Sequence, residues 1–354
     1  MLEEVRDLIN RKEWVNALQA LDPYMQKYPV EPMGLFLLGQ IMLETEKQSI
    51  AYPIYKLATT LEPKRPEMWI NMGKAAGELH FYEEEEKCFR KAITLAKAQK
   101  NELAEFISIQ NMASCGVHQA DPNKAIHWAN KSLKIERTKK SLVDLGYGQL
   151  MQKNYKEGWK NYNEGLGITE NREIKSYIGE PEWDGSPDKH ILIYGEQGLG
   201  DQIAFASAVR DARRISKSVI LDVTPKFKNL ASRSFVLETH GYGKGNNWMN
   251  GRHIDASVSM SRIQEYLRDD VSKYTGKPYL IADSNRRLQW KALFDSFGDK
   301  LKVGIAWNGG VHSTQRDERS TPLKNILKML NQDVTWISLE YEDSSEEVAE
   351  AKKS

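Results

Sequence analysis

Asp201 stands directly behind a glycine-rich run, and the residues around it are the ones in this chain that could do chemistry. The stretch His190–Arg210 reads HILIYGEQGLGDQIAFASAVR, with Gly195, Gly198 and Gly200 close together and a carboxylate after the last of them. Such a carboxylate has two available roles. It can cap the helix that follows from its first turn, where unpaired N–H groups favour negative charge. It can instead act as a general base beside a bound, phosphate-bearing substrate. The glycines let the turn run tight and let backbone N–H groups face a ligand, although a plain strand-to-helix turn would use them as well. A dinucleotide fingerprint is not met. Gly198-x-Gly200 continues to Ile203, where G-x-G-x-x-G needs a very small residue. A dinucleotide-binding oxidoreductase is therefore the third reading, although Asp222 at the end of the next strand has the place of a ribose contact.

The elements that would position these residues follow from local pattern. Ile191–Tyr194 is a short apolar run with β-branched residues and reads as a buried strand; from Gln202 onward Ile203, Ala206 and Val209 recur at helical spacing. Strand, glycine turn and helix open a doubly wound α/β domain, whose sites lie at the carboxyl ends of the strands. Further along, Ser218–Val223 is predicted as a strand, Phe227–Phe235 as a helix, His240–Asn250 as a loop and Ile254–Val258 as a strand. Ser261–Asp270 is predicted as a helix with Arg262, Glu265 and Arg268 on its surface. Lys277–Ala282 reads as extended and Arg286–Phe297 as an amphipathic helix. A second strand–glycine opening follows, Lys302–Trp307 with Gly309 and Gly310, and then a loop that carries Arg316 and Arg319. Leu323–Leu330 (helix), Val334–Leu339 (strand) and Ser344–Lys353 (helix) complete the chain. Two such openings imply two Rossmann-like halves facing each other across a cleft, the second with room only for βαβα. Ser176–Lys189, with two prolines and two glycines, reads as a linker.

The first half of the chain is a repeat array. Ala17, Leu21, Tyr24 and Pro29 recur as Ala51, Tyr55, Ala58 and Pro63, an offset of 34 residues. Leu35, Leu38, Gly39, Tyr55, Ala58 and Leu61 recur as Trp69, Met72, Gly73, Phe89, Ala92 and Leu95, and weaker units follow at Ile109–Ile135 and Leu142–Gly165. This is the tetratricopeptide pattern of paired helices, with small residues where helices cross and large ones filling the gaps. The first unit lacks much of its leading helix, and Gly158 and Gly165 weaken the last, as at the ends of an array. Such arrays curl into a superhelix with a concave groove for a peptide or protein.

At 354 residues the chain has room for two domains and part of a third. Lys+Arg 50 against Asp+Glu 49 leaves no basic field, which argues against bulk nucleic-acid binding. Cys88 and Cys115 make no metal or redox motif and read as reduced thiols of a cytoplasmic protein. The seven histidines are scattered, so no metal site is expected. No apolar run approaches the length of a membrane span, and the charged start MLEEVRDLINRKEW is unlike a signal peptide.

A repeat array, then Trp183-Asp184-Gly185, then Glu196–Asp201 (E-Q-G-L-G-D), then Gly304–Gly309 (G-I-A-W-x-G) with Arg316–Ser320, resembles the bacterial and phage-type tetratricopeptide glycosyltransferases. The catalytic part of that family is GT-B-like, similar to the heptosyltransferases and more distantly to the O-linked N-acetylglucosamine transferases. The resemblance implies an α plus α/β architecture. Residues 1–168 would form the tetratricopeptide array, 169–189 a linker, 190–300 an N-terminal GT-B-like domain with its connecting helix, and 301–354 a partial C-terminal one. It implies transfer of a sugar from a nucleotide-sugar donor to an acceptor hydroxyl, with Asp201 as base. Gln197, Gly198, Gly200, Asn308, Gly309, Arg316, Arg319 and Ser320 would contact substrate or phosphate, arginine being suited to bidentate phosphate contact. No cofactor is expected beyond the donor substrate, and no metal. The family's C-terminal domain runs further than this chain does, so the resemblance also implies a truncated or split enzyme completed by another chain. The alternative, of a different class, is a non-catalytic tetratricopeptide adaptor.

Overall fold

A computed structural model describes residues 1–168, 172–243, 247–249, 251–309, 319–328 and 333–352. They fall into two compact units, Met1–Leu280 and Ile281–Ser354.

The first unit opens with ten helices: α1 (Leu2–Asn10), α2 (Trp14–Lys27), α3 (Pro32–Glu44), α4 (Gln48–Leu61), α5 (Pro66–Glu78), α6 (Tyr82–Gln99), α7 (Glu102–His118), α8 (Pro122–Ile135), α9 (Lys139–Met151) and α10 (Tyr155–Asn163). Several starts are fixed locally. Pro32, Pro66 and Pro122 occupy the first turn, where a missing N–H costs nothing. Glu31, Asn101, Asp121 and Thr138 accept a hydrogen bond from the backbone N–H three residues on. The 34-residue offset becomes a repeated contact. A Cβ on Gly39 would lie 2.8 Å from the Tyr55 ring, and one on Gly73 would lie 2.6 Å from the Phe89 ring. Glycine is needed at both because a large ring of the paired helix occupies the space. The array is thus five helix pairs, tetratricopeptide-like, with short first and last members.

First helices of successive pairs touch one another: α1 with α3, α3 with α5, α5 with α7 and α7 with α9. In a curved stack the elements that approach most closely line the inside, so these form the concave wall.

Next comes a parallel sheet of β1 (His190–Tyr194), β2 (Ser218–Val223), β3 (Glu238–Gly241) and β4 (Ala256–Ser259), in the order β3-β2-β1-β4. Helices α11 (Leu199–Phe205), α12 (Val209–Ile215), α13 (Pro225–Phe235) and α14 (Arg262–Leu267) accompany it. Ile191, Leu192, Ile193 and Tyr194 are all at most 1% exposed, as expected of a central parallel strand covered on both faces.

Several expectations need correction. The predicted loop from His240 begins inside β3, whose sequence ETHG has one inward side chain, Thr239, and no apolar alternation to betray it. The second outer strand starts at Ala256, two residues later than predicted, because Asp255 accepts the His190 backbone N–H through its side chain. Lys277–Ala282 forms no strand. Arg268 is not on the surface: it is 5% exposed, pairs with Asp211 and donates to the Ser207 carbonyl. The stretch read as a linker is docked on the sheet. Trp183 is 1% exposed and donates its backbone N–H to Ser257, while Glu182 bridges the same residue.

In the second unit, α15 (Ser284–Asp295) precedes a two-stranded parallel sheet of β5 (Leu301–Ile305) and β6 (Val334–Ser338), with α16 (Leu323–Leu327) and α17 (Ser345–Ala351). No residue of α15, β5 or β6 is fully buried. Helix α15 thus belongs with β5 and β6, beyond the boundary at Leu280.

Candidate functional site

The chain adds β2 and β3 on one side of β1 and then crosses to place β4 on the other. The crevice at the carboxyl ends of β1 and β4 is therefore the topological switch point, where open α/β sheets bind ligands. The loop Gly195–Asp201 leaves β1 there. Its shape is held from beneath by Gln202, which is fully buried. The Gln202 amide oxygen accepts from the Thr224 backbone N–H at 2.9 Å, and its amide nitrogen donates to the Gln197 carbonyl at 3.3 Å and to the Tyr242 hydroxyl at 3.2 Å. A Cβ on Gly195 would sit 2.3 Å from that amide. Gly195 is thus the residue the turn requires, whereas Gly200 has open space on every side.

Asp201 performs the capping role. Its Oδ2 accepts the Gly198 backbone N–H at 3.2 Å, which is the returning half of a capping box. It is exposed at the mouth of the loop. Helix α11 is seven residues long and passes through a 3-10 turn at Ala206–Ala208 before α12, so the helix predicted from Gln202 is broken and its dipole is short. Gln197 takes a positive φ of 62° and donates its side-chain amide to the Tyr162 hydroxyl at 3.0 Å.

That contact joins the loop to the last repeat. Trp159, Tyr162 and Phe205 form an edge-to-face cluster, Trp159 donates to the Tyr274 hydroxyl at 2.8 Å, and Asn163 donates to Glu265 at 3.1 Å. Tyr147 on the concave wall meets Tyr162 edge-on, with ring centres 5.2 Å apart. A chain of side-chain contacts therefore runs from the inner wall through the buried Tyr162 to the glycine loop. Polar bridges cross between repeats along it: Ser114 donates to Asp144 at 2.9 Å, and Gln110 donates to Thr138 at 2.8 Å. Burial raises the Tyr162 hydroxyl to about 12.

Behind the loop lie groups that sequence patterning did not single out. Glu196 is 4% exposed, near the Ser259 hydroxyl at the end of β4 and the Ser261 hydroxyl just after it; burial pushes its carboxyl upward, against those hydroxyls and the Arg172 charge. Its signal was present in the run EQGLGD, as a carboxylate two residues beyond an apolar strand. Arg172 and Asn163 gave no such signal. Asp222 is 2% exposed and accepts the Tyr177 hydroxyl at 2.6 Å. Burial raises its carboxyl as well. It faces the docked stretch, not the place of a ribose.

The second strand–glycine opening is closed on itself. Glu340 accepts the backbone N–H groups of Trp307 at 2.5 Å and Asn308 at 2.8 Å, and Gly309 donates its N–H to Ser320 Oγ at 3.2 Å. Arg319 is exposed, with its Cβ and carbonyl against Gly309. Gly310 and Arg316 lie outside the described residues. Among those described, no three His, Cys, Asp or Glu side chains are placed to hold a metal ion, and no helix is long and apolar enough to cross a membrane.

A cavity of about 710 Å³ opens at the opposite, amino end of the sheet, with His190, Arg213, Lys217, Arg252 and His253 on its walls. Helices α12 and α13 end there, and Arg213 donates to the Val236 carbonyl at 3.2 Å. Arg213 and Lys217 sit at the carboxyl end of α12, where cations complement the helix dipole.

No known protein-family profile matches the chain. Protein FlbA of Caulobacter vibrioides is 22% identical over 360 aligned residues, which cover 93% of this chain; the chain spans 58% of that protein's length. Among solved structures, PilF of Pseudomonas aeruginosa is 15% identical with a TM-score of 0.40, over 46% of this chain and 72% of that one. The type IV pilus biogenesis factor PilW is 15% identical with a TM-score of 0.41, over 46% and 73%. A tetratricopeptide protein of Thermus thermophilus is 16% identical with a TM-score of 0.38, over 47% and 88%. Likenesses this distant carry no weight on function, and the repeat assignment rests on the helix pairing described above.

Proposed function

We propose that this chain is a protein-interaction module whose concave wall takes an extended polypeptide and leads it to the glycine loop of the α/β domain. The observation that carries this is the continuity of the wall, from the polar bridges on α7 and α9 through Tyr147 and Tyr162 to Gln197. An adaptor needs a groove of fixed curvature, and the bridges between repeats supply it. Peptides selected against the full chain from a random display library provide the test. Their affinity should fall roughly tenfold, about 1.4 kcal/mol, in Tyr147→Ala. It should stay unchanged in Lys87→Ala, on the second helix of its pair. Equal loss in both would place the peptide elsewhere.

Sugar transfer is a second reading, favoured by the place of Asp201 at the carboxyl end of the sheet beside the groove. On this reading the Asp201 carboxylate turns from Gly198 to take the proton of an acceptor hydroxyl. Turnover of a panel of nucleotide sugars by the full chain, lost in Asp201→Asn without change in thermal midpoint, would support it. No turnover in the parent chain leaves the adaptor reading alone.

A further inference from the structure

The cavity at the amino end of the sheet carries more positive charge than the fold itself uses. Its volume of about 710 Å³ lies within the roughly 300–1,000 Å³ of small-molecule sites. Arg213 comes from the last turn of α12, Lys217 from the turn after it, and Arg252 from the loop before β4. Among the described residues, Glu238 at the start of β3 is the one carboxylate on the walls. Asp255 stands off the walls, and its two oxygens are taken by the His190 backbone N–H at 2.7 Å and by His253 at 2.9 Å.

The helix ends use only part of this charge. Each helix carboxyl end carries roughly half a negative charge, so α12 and α13 together offset about one cation, and Glu238 offsets a second. One is left over. The bonding agrees. Arg213 gives Nη1 to the Val236 carbonyl at 3.2 Å; Arg252 gives Nε to the Trp248 carbonyl at 2.7 Å and Nη1 to Glu238 at 2.5 Å. Among the described residues, Lys217 Nζ, Arg213 Nε and Nη2, and Arg252 Nη2 make no further bond. Side chains from three separate elements therefore meet one space with donors unused. Val219, Ile220, Val236 and Leu237 add an apolar part to the walls. Val236 has a left-handed backbone, φ 54°, which is strained for a β-branched residue, and it is 78% exposed. Its carbonyl is the group that holds Arg213.

We propose that this cavity binds a small phosphomonoester, with the phosphoryl oxygens shared among Arg213, Lys217 and Arg252 and the organic part against Val236 and Ile220. A phosphoryl group presents three oxygens in different directions, which suits donors from three elements. A carboxylate presents two in one plane, which suits a single arginine. Lysine and arginine are charged throughout the neutral range, so the site needs no proton on His190 or His253. It lies at the other end of the sheet from the glycine loop. It thus goes beyond the peptide-binding reading and does not depend on what occupies the groove.

The test is a calorimetric titration of the full chain in mildly alkaline buffer, at constant ionic strength set with sodium chloride. Phenyl phosphate should saturate at one per chain, and benzoate, with the same ring, should bind at least about tenfold more weakly. No saturable binding of phenyl phosphate overturns the proposal, and this readout needs no variant to fold. Equal affinity for benzoate overturns the phosphoryl assignment. Lys217→Met removes an exposed cation that bonds to no other described residue, so affinity for phenyl phosphate should fall about fivefold or more with the fold intact. Lys228→Met, on the first turn of α13 at the far end of the sheet, should leave it within about twofold. Equal losses in the two variants would mean diffuse attraction to surface charge and overturn the site. Val236→Gly relieves the strained backbone and removes part of the apolar wall, so the thermal midpoint should rise while phenyl phosphate binds about threefold more weakly. Unchanged affinity in that variant overturns the part given to Val236.

Discussion

Strands β1 and β5 both end in glycine turns, and the turns have come to opposite arrangements. After β1 the turn is wrapped around a fully buried glutamine, and the carboxylate next to it, Glu196, has no formed hydrogen bond. After β5 the turn is wrapped around a carboxylate, because Glu340 has taken the backbone N–H groups of Trp307 and Asn308 for itself. A cradle of N–H groups attracts an anion, and the second unit supplies one from its own chain. The difference shows that a strand–glycine opening specifies a turn and leaves its partner open: a residue that directly follows the loop in one case, and one more than thirty positions away in the other.

The widest gap between the two regions should appear in hydrogen exchange. Ile191–Tyr194 lie at the centre of a four-stranded sheet, whereas Val334–Ser338 pair with a single strand and have no fully buried residue. Amides of β6 should exchange roughly a hundredfold faster or more than those of β1, as befits a segment that opens locally. Equal protection in the isolated chain would show that the small sheet is as secure as the large one and would break the comparison.

Glycine substitutions come next in size. Gly195→Ala puts a methyl group against the buried Gln202 amide, and the three hydrogen bonds of that side chain allow it little movement. It should destabilise the first unit by about 2–3 kcal/mol in a denaturant titration. Gly304→Ala meets only the side chain of Leu339, which is 59% exposed and can swing aside. Its cost should be under about 1 kcal/mol, since a strand alanine also recovers backbone entropy. A reversed order would mean that the first turn is the more forgiving one.

The smallest effect, and the sharpest in sign, concerns the carboxylates. Glu196 has a folded-state proton affinity above the unfolded one, because burial disfavours its charge. Between the unfolded value, about 4.3, and the raised folded value, the native state binds the extra proton, so stability falls as pH rises through that window. Glu86 in the array behaves in the opposite way. Burial works to raise its carboxyl, but hydrogen bonds from Lys124, Arg90 and Gln119 outweigh this and bring it down to about 2. Its contribution is present at neutral pH and is lost as pH falls toward 2. Thermal midpoints across pH should therefore lose their decline through that window in Glu196→Gln, and lose part of their acid decline in Glu86→Gln. Matching profiles for both variants would remove the distinction between an unpaired and a paired carboxylate.

The chain's own order of residues determined whatever depends on near neighbours. The 34-residue offset fixed the helix pairs, because Gly39 with Tyr55 and Gly73 with Phe89 are contacts within one repeat. Ile191–Tyr194 and Ser218–Val223 declared themselves as strands, because a strand covered on both faces carries a continuous apolar run, Ile191–Tyr194 in one and Val219–Leu221 in the other. Tertiary structure decided the rest. β3 is a strand only because β2 offers it an edge, and its four residues carry no pattern of their own. Arg268 has the spacing of a surface residue, but Asp211 and the Ser207 carbonyl arrive from another helix and bury it. The Trp183 segment has the composition of a tether and is held flat on β4 by backbone hydrogen bonds. Tyr162 meets Arg172 and the glycine loop because the last repeat docks on the carboxyl end of the sheet, a packing that the repeat pattern does not encode. Spacing along a chain reports which side chains share a face; only packing reports what that face meets.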